Sequence, residues 1–255
     1  MHLDVVELKS FYATPLGGVV RRIIAHRIRA RWRRADGCVL MGLGFATPYL
    51  GSYRGEALRL GALMPAAQGA LVWPSNGATH TVMVDDNALP LPDNSVDRVL
   101  VIHGLEFTES ARPLLRELWR VLSPEGRIML VVPNRHGVWS RREATPFGHG
   151  QPYSRAQLER LLNDALFTPI EWSSILHMPP VNRRFLVRWA TAFERLGARL
   201  WPGLAGVIIV EAQKELMSPV GKAEVVRRAR APAKVGTTSQ NSKPARLRNP
   251  PRRLE

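Results

Sequence analysis

Gly42 and Gly44 close the apolar run "VLMGLG" and are followed by Phe45, Ala46, Thr47 and Pro48. Glycine lets a backbone approach a ligand closely. A strand that turns through such glycines into a helix commonly holds a nucleotide-like cofactor. Asp85 and Asp86 close a second apolar run, "TVMV", and the chain continues through Asn87, Ala88 and Leu89. This segment offers carboxylates as hydrogen-bond acceptors, backbone for the edge of a ring, and apolar walls from Leu89 and Leu91. His103 and Glu106, in "VIHGLEF", follow a third run. An imidazole exchanges a proton near neutral pH, so His103 reads either as a general base or as packing beside a cofactor. A fourth group lies in "PNRHGVWSRREATPFGHGQPYS", which carries Asn134, Arg135, His136, Trp139, His149 and Tyr153. Long for a loop and rich in glycine and proline, it is a candidate pocket for an anionic or planar molecule, with Tyr12 as a further member. The alternative is a packed lid whose arginines pair with acids. His136 and His149 are too far apart, and lack suitably spaced partners, for a metal site.

Elements must place these groups along one edge. Cys38–Met41 reads as a short buried strand, with Thr47 capping a helix that has Pro48 at its first position and runs to about Leu60. Further strands are expected at Ala70–Trp73, Thr79–Val84, Asp97–Ile102, Arg127–Val132, Pro169–Leu176 and Gly206–Ala212. Helices are expected at Glu109–Leu122, after the Ser154 cap, and at Asn182–Leu200. Apolar residues Val19, Val20, Ile23, Ile24, Ile28 and Trp32 recur at helical spacing, so the segment up to about Arg34 reads as helix. Alternating strands and helices predict an α/β fold: a doubly wound, mostly parallel sheet with flanking helices. Strand C-termini then share the edge where ligands bind.

The net charge of +15 sits almost wholly in two segments. Gly18–Arg34 has seven arginines and no acid, and Lys214 to the end has eleven Lys/Arg against three Glu. The rest is neutral, which argues weakly for a polyanionic substrate of the domain itself. A helix packed on a sheet, with its arginines in water, is the plain reading of the first segment. An interfacial helix on an acidic membrane or RNA is the sharper one. The second segment, rich in Arg, Pro, Ser and Ala, buries too little to offset its ordering entropy and is expected to be disordered. The lone Cys38 excludes a disulfide framework. No stretch reaches the roughly eighteen apolar residues of a membrane span, and no signal-peptide core is evident. Cytoplasm is the expected location.

"DDNALPLPDNSVDRVLVIHGLEF", followed by "LLRELWRVLSPEGRIMLVVPN", resembles the class I S-adenosylmethionine-dependent methyltransferases, in particular their small-molecule, type-11-like members. The likeness spans roughly residues 37–213, leaving 1–36 as a basic helical segment packed on the domain and 214–255 as a basic tail. It implies a Rossmann-like fold and S-adenosylmethionine as cofactor, held by Gly42, Gly44, Ala46, Trp73, Asp85, Asp86, Asn87, Ala88, Leu89 and His103. It prefers Asp85 to Asp86 for the adenine contact. It also implies a methyl acceptor, unidentified, near the Tyr12 and 134–153 candidates. Two departures stand out. Leu40 replaces the acid that usually precedes the first glycine, and the second strand, taken to end at Trp73-Pro74, lacks the acid that usually binds the ribose. Ser75 or Asn76 could substitute weakly there, or Trp73 could stack on adenine. A dinucleotide site is disfavoured, because G-x-G-x-x-G would need glycine at Thr47. The competing expectation is a non-catalytic methyltransferase fold whose basic helix and tail engage RNA, a membrane or an acidic protein.

Overall fold

Thr14 divides the N-terminal segment into two helices, α1 (Val5–Ala13) and α2 (Pro15–Arg31). Its hydroxyl donates to Phe11 O at 2.7 Å and accepts from Gly17 N at 3.0 Å. Pro15 then starts α2 where a missing N–H costs nothing. A Cβ on Gly17 would lie 2.0 Å from Phe11 O, so glycine is what lets α2 begin this close to α1. The computed structural model describes residues 3–182 and 189–216. Residues 217–255 of the basic tail, and 183–188 of the helix expected over 182–200, lie outside the described residues.

The remaining elements are β1 (Val39–Gly44), α3 (Thr47–Leu50), β2 (Arg59–Pro65), β3 (Thr81–Val84), β4 (Val96–Ile102), α4 (Ala111–Val121), β5 (Leu122–Pro133), α5 (Arg155–Asp164), β6 (Phe167–Ile175), α6 (Ala190–Leu200) and β7 (Val207–Lys214). The sheet runs β3-β2-β1-β4-β5-β7-β6. The first five strands are mutually parallel, and β7 is antiparallel to both β5 and β6. The parallel strands therefore all deliver their C-termini, Gly44, Pro65, Val84, Ile102 and Pro133, to one edge. The segment Ser123–Gly126, ahead of the expected strand Arg127–Val132, is a bulge inside β5. Leu122 pairs with Val96, pairing resumes at Arg127 opposite Arg98, and Glu125 between them takes φ 60°.

Alternate residues of each strand point to opposite faces, and each face has its own cover. Leu40, Met64, Leu100, Ile102, Met129 and Val131 pack with Leu8, Val20, Ile24, Ile28 and Trp32 of the N-terminal helices. Leu43, Leu63, Val99, Val101, Ile128 and Leu130 pack with Leu114, Leu115 and Leu118 of α4 and Leu158 and Leu162 of α5. Ser154 caps α5 through a full capping box with Gln157. The basic helix is thus a structural layer. Trp32 Nε1 donates to Glu211 Oε1 at 3.0 Å, Arg29 pairs with Glu56, and Arg31 pairs with Glu171 and Glu211.

Two expectations are corrected. Thr47 begins its helix instead of capping it, with Ala46 at the N-cap, and the helix does not reach Leu60: it stops at Leu50, a 3-10 turn covers Gly51–Tyr53, and Arg59 already begins β2. Tyr53 is pinned by a hydrogen bond from its hydroxyl to Trp32 O at 2.9 Å, and Gly55 takes φ 83°. Ala70–Trp73 is not a strand. It belongs to the connection from β2 to β3, which contains no helix. The second strand therefore ends at Pro65, and Trp73 is not at its tip.

Candidate active site

Past the ends of β2, β3 and β4 lies a cavity of about 300 Å³, lined by residues from 65–68, 84–87 and 103–109. Asp85, Asp86, Asn87 and His103 all border it. Asp85 Oδ1 accepts from Asn87 N at 2.9 Å, an Asx turn that shapes the rim. Ala88 and Leu89 stand behind this rim: Ala88 N donates to Asp85 O, and Leu89 is buried with its N–H held by Glu117 Oε2 at 3.1 Å. Arg120 fastens the same stretch, donating to Leu89 O, Leu91 O and Asp93 as well as to Glu117. That guanidinium holds the Glu117 carboxyl below the usual glutamate value. Asp97 is structural, accepting from Val39 N and from the Ser123 hydroxyl.

Gln68 borders the cavity and was not visible as a candidate in the sequence. It is 2% exposed; its Nε2 donates to His103 O at 2.8 Å, and its Oε1 has no partner. His103 takes φ 50°, a left-handed backbone uncommon outside glycine, though histidine is among the residues that adopt it most readily. Its ring is fully buried between two partners. Nδ1 lies 3.0 Å from Glu106 Oε1, and Nε2 lies 2.8 Å from the Tyr12 hydroxyl. A carboxylate at Glu106 can only accept, which places the ring proton on Nδ1 and leaves Nε2 to accept from Tyr12. Burial, with Tyr49 and Glu106 adding to it, pushes the Tyr12 phenol well above its usual value, so Tyr12 acts as a hydroxyl. Its ring stacks on Phe45 with centroids 5.5 Å apart, and Phe147 sits 4.9 Å from the His103 ring.

A second cavity, about 600 Å³, lies on the other side of Tyr12, bordered by Phe45, Thr47, Trp73, Ser75 and Asn76 among others. Tyr12 and Trp73 face this space and not the one beside Asp85. The other pocket candidates have structural work. Trp139 is buried and donates from Nε1 to Met178 O. Asn134 Nδ2 donates to Ala205 O, Arg135 to Pro152 O, and the Tyr153 hydroxyl to Leu105 O. His149 Nε2 meets Glu143 O at 2.6 Å, and the His136 N–H is held by Asn134 Oδ1. None of Asn134, Arg135, His136, Trp139, His149 or Tyr153 borders either cavity. Residues 134–153 form a packed roof that delivers Phe147 to His103. Among the described residues no group of three His, Cys, Asp or Glu could hold a metal ion, and no helix is long and apolar enough to cross a membrane.

Residues 41–130 match the methyltransferase domain family. A Mycobacterium tuberculosis protein named as a probable S-adenosylmethionine-dependent methyltransferase is 34% identical over 93 residues, 36% of this chain and 34% of that protein. Over that stretch this chain is similar to methyltransferases. Among solved structures, an S-adenosylmethionine-dependent methyltransferase from Mesorhizobium loti superposes with a TM-score of 0.53 at 14% identity, over 74% of this chain and 96% of that one. The [4+2]-cyclase SpnF superposes with a TM-score of 0.53 at 20% identity, over 76% of this chain and 80% of its own. Matches of this kind establish the fold, and a fold hosts more than one reaction. The chain spans about a third, 34%, of the length of the mycobacterial relative.

Within the matched segment, Gly42 and Gly44 answer to internal packing. A Cβ on Gly42 would lie 2.6 Å from Ala46 Cβ and 2.8 Å from Leu50 Cδ1. Gly44 takes φ 75°, and a Cβ there would lie 2.4 Å from Ile102 O. Ala46 is fully buried, and these three residues border neither cavity. Leu40 is fully buried in the cluster shared with α2, so a carboxylate at this position would sit among Leu and Ile side chains.

Proposed function

We propose that this chain is an S-adenosylmethionine-dependent methyltransferase. The observation that carries the reading is the cavity at the β2–β3–β4 edge, whose polar lining includes acceptors suited to adenosine. Asp85 and Asp86 offer carboxylate oxygens for an amino group, and the unpartnered Oε1 of Gln68 offers one for a ribose hydroxyl. Bound there, S-adenosylmethionine supplies an electrophilic methyl on a sulfonium sulfur. The chain's own contribution is alignment and exclusion of water, which is most of what methyl transfer needs. Where the acceptor gives up a proton, Tyr12 Oη takes it while passing its own to His103 Nε2, with Glu106 steadying Nδ1.

Replacing the usual ribose-binding acid by one neutral amide oxygen weakens the grip by roughly 1 kcal/mol or more, about fivefold or more in affinity. Isothermal calorimetry with S-adenosylmethionine and its demethylated product tests the reading. Binding in the wild type, weakened roughly fivefold by Gln68→Ala, is the expected result. No heat of binding at millimolar cofactor sinks it.

A further inference from the structure

The cavity beside Tyr12 has three cations on its border and no acid. Lys9, Arg21 and Arg54 line it, and among the described residues none of the three makes an ion pair. Acids are not scarce nearby, since Arg29 and Arg31 of the same helix both find glutamates. Three unpaired cations around one space create a positive potential that favours an anion. The rest of the wall includes Tyr12, Phe45 and Trp73, which offer ring faces and edges to a flat molecule. S-adenosylmethionine does not suit this lining. Its sulfonium and ammonium outweigh its one carboxylate, so the free cofactor is itself a cation. Tyr12 joins the two spaces: it borders this cavity, while its hydroxyl meets His103, which borders the other.

We propose that this cavity takes the methyl acceptor, and that the acceptor is a planar aromatic molecule bearing a carboxylate or phosphate. The assignment rests on the methyltransferase reading above. Lys9, Arg21 and Arg54 hold the anionic group, Trp73 and Phe45 hold the ring, and the Tyr12 hydroxyl stands at the inner wall.

The test uses the full chain with S-adenosylhomocysteine and the aromatic anion anilinonaphthalene sulfonate as fluorescent probe. The expected result is probe binding that weakens about tenfold or more in Lys9→Gln/Arg21→Gln/Arg54→Gln. The control Arg22→Gln/Arg27→Gln changes exposed arginines on the same helix that border neither cavity, and leaves probe affinity unchanged. Benzoate or phenyl phosphate displaces the probe, whichever anion the site prefers, and benzamide does not. Three results overturn the proposal: no probe binding, equal weakening in variant and control, or a matching loss of S-adenosylhomocysteine affinity in the triple variant. The last would assign the cations to the cofactor's own carboxylate. If S-adenosylhomocysteine fails to bind the wild type, the methyltransferase reading falls separately, and the anion site is judged on the probe alone.

Discussion

At the residue scale the site turns on one buried chain of hydrogen bonds, Tyr12 to His103 to Glu106. Its members come from α1 and from the turn after β4, and the Tyr12–His103 contact spans 91 positions. Glu106→Gln keeps the shape but supplies an amide that can donate to Nδ1, which moves the ring proton to Nε2. Nitrogen–proton correlation spectra of the imidazole are expected to show the Nδ1–H tautomer in the wild type and the Nε2–H tautomer in the variant. An Nε2–H tautomer in the wild type contradicts the assigned direction of the relay. Of this site, Asp85, Asp86, His103 and Glu106 were legible as polar residues following apolar runs. Gln68 was not, because it follows a strand that the residues did not announce. Tyr12 was legible as a candidate, but its partner was not, since nothing local links positions so distant.

At the element scale the clearest lesson is β2. The expected helix ran to about Leu60 and the next strand was expected only at Ala70, because Ala62, Leu63 and Met64 are good helix formers without alternation and announce no strand. The strand exists because β1 and β3 flank it on both sides and bury it. By contrast β4, α4 and α5 were legible, from apolar periodicity and from the Ser154 cap. The stretch 85–93 has no regular structure of its own and is held to α4 by Arg120 and Glu117. Arg120→Ala removes several charge-assisted hydrogen bonds at once and is expected to cost about 1.5–3 kcal/mol in urea unfolding. It should also loosen the Asp85 rim, seen as faster amide exchange over Asp85–Leu91. Because Arg120 lowers the Glu117 pKa, the contribution of this pair is complete above the ordinary glutamate range. It is lost as pH falls through the lowered folded value. The wild type should therefore lose more stability on acidification than Glu117→Gln, and equal acid sensitivity would contradict the pairing.

At the scale of the whole molecule the N-terminal helices cover one face of the sheet. Leu8, Val20, Ile24, Ile28 and Trp32 are all at most 2% exposed, each contributing about 1.5–3 kcal/mol of burial. Together they amount to about 7.5–15 kcal/mol as an upper estimate, comparable to the whole stability of a typical domain, about 5–15 kcal/mol. Deleting residues 1–34 is expected to abolish the cooperative thermal transition, and a truncated protein that melts cooperatively would show the layer to be dispensable. All four tyrosines are held above the ordinary phenol value of 10.0, each chiefly by burial, with Tyr153 pushed up to about 12. A raised phenol pKa stabilises the fold fully below the unfolded value, and that contribution disappears as pH rises through the folded one. Ultraviolet titration should show less than half the tyrosine ionised at the ordinary phenol value, then a steep rise together with unfolding. A normal titration curve would place these rings in water. Trp32 and Glu211 give the fold a direction in time. Their hydrogen bond joins positions 179 residues apart, so the helix that leaves the ribosome early finds its acid only when β7 emerges. Until then the Trp32 indole N–H lacks its acceptor, so this contact of high sequence separation forms late and slows completion of the fold.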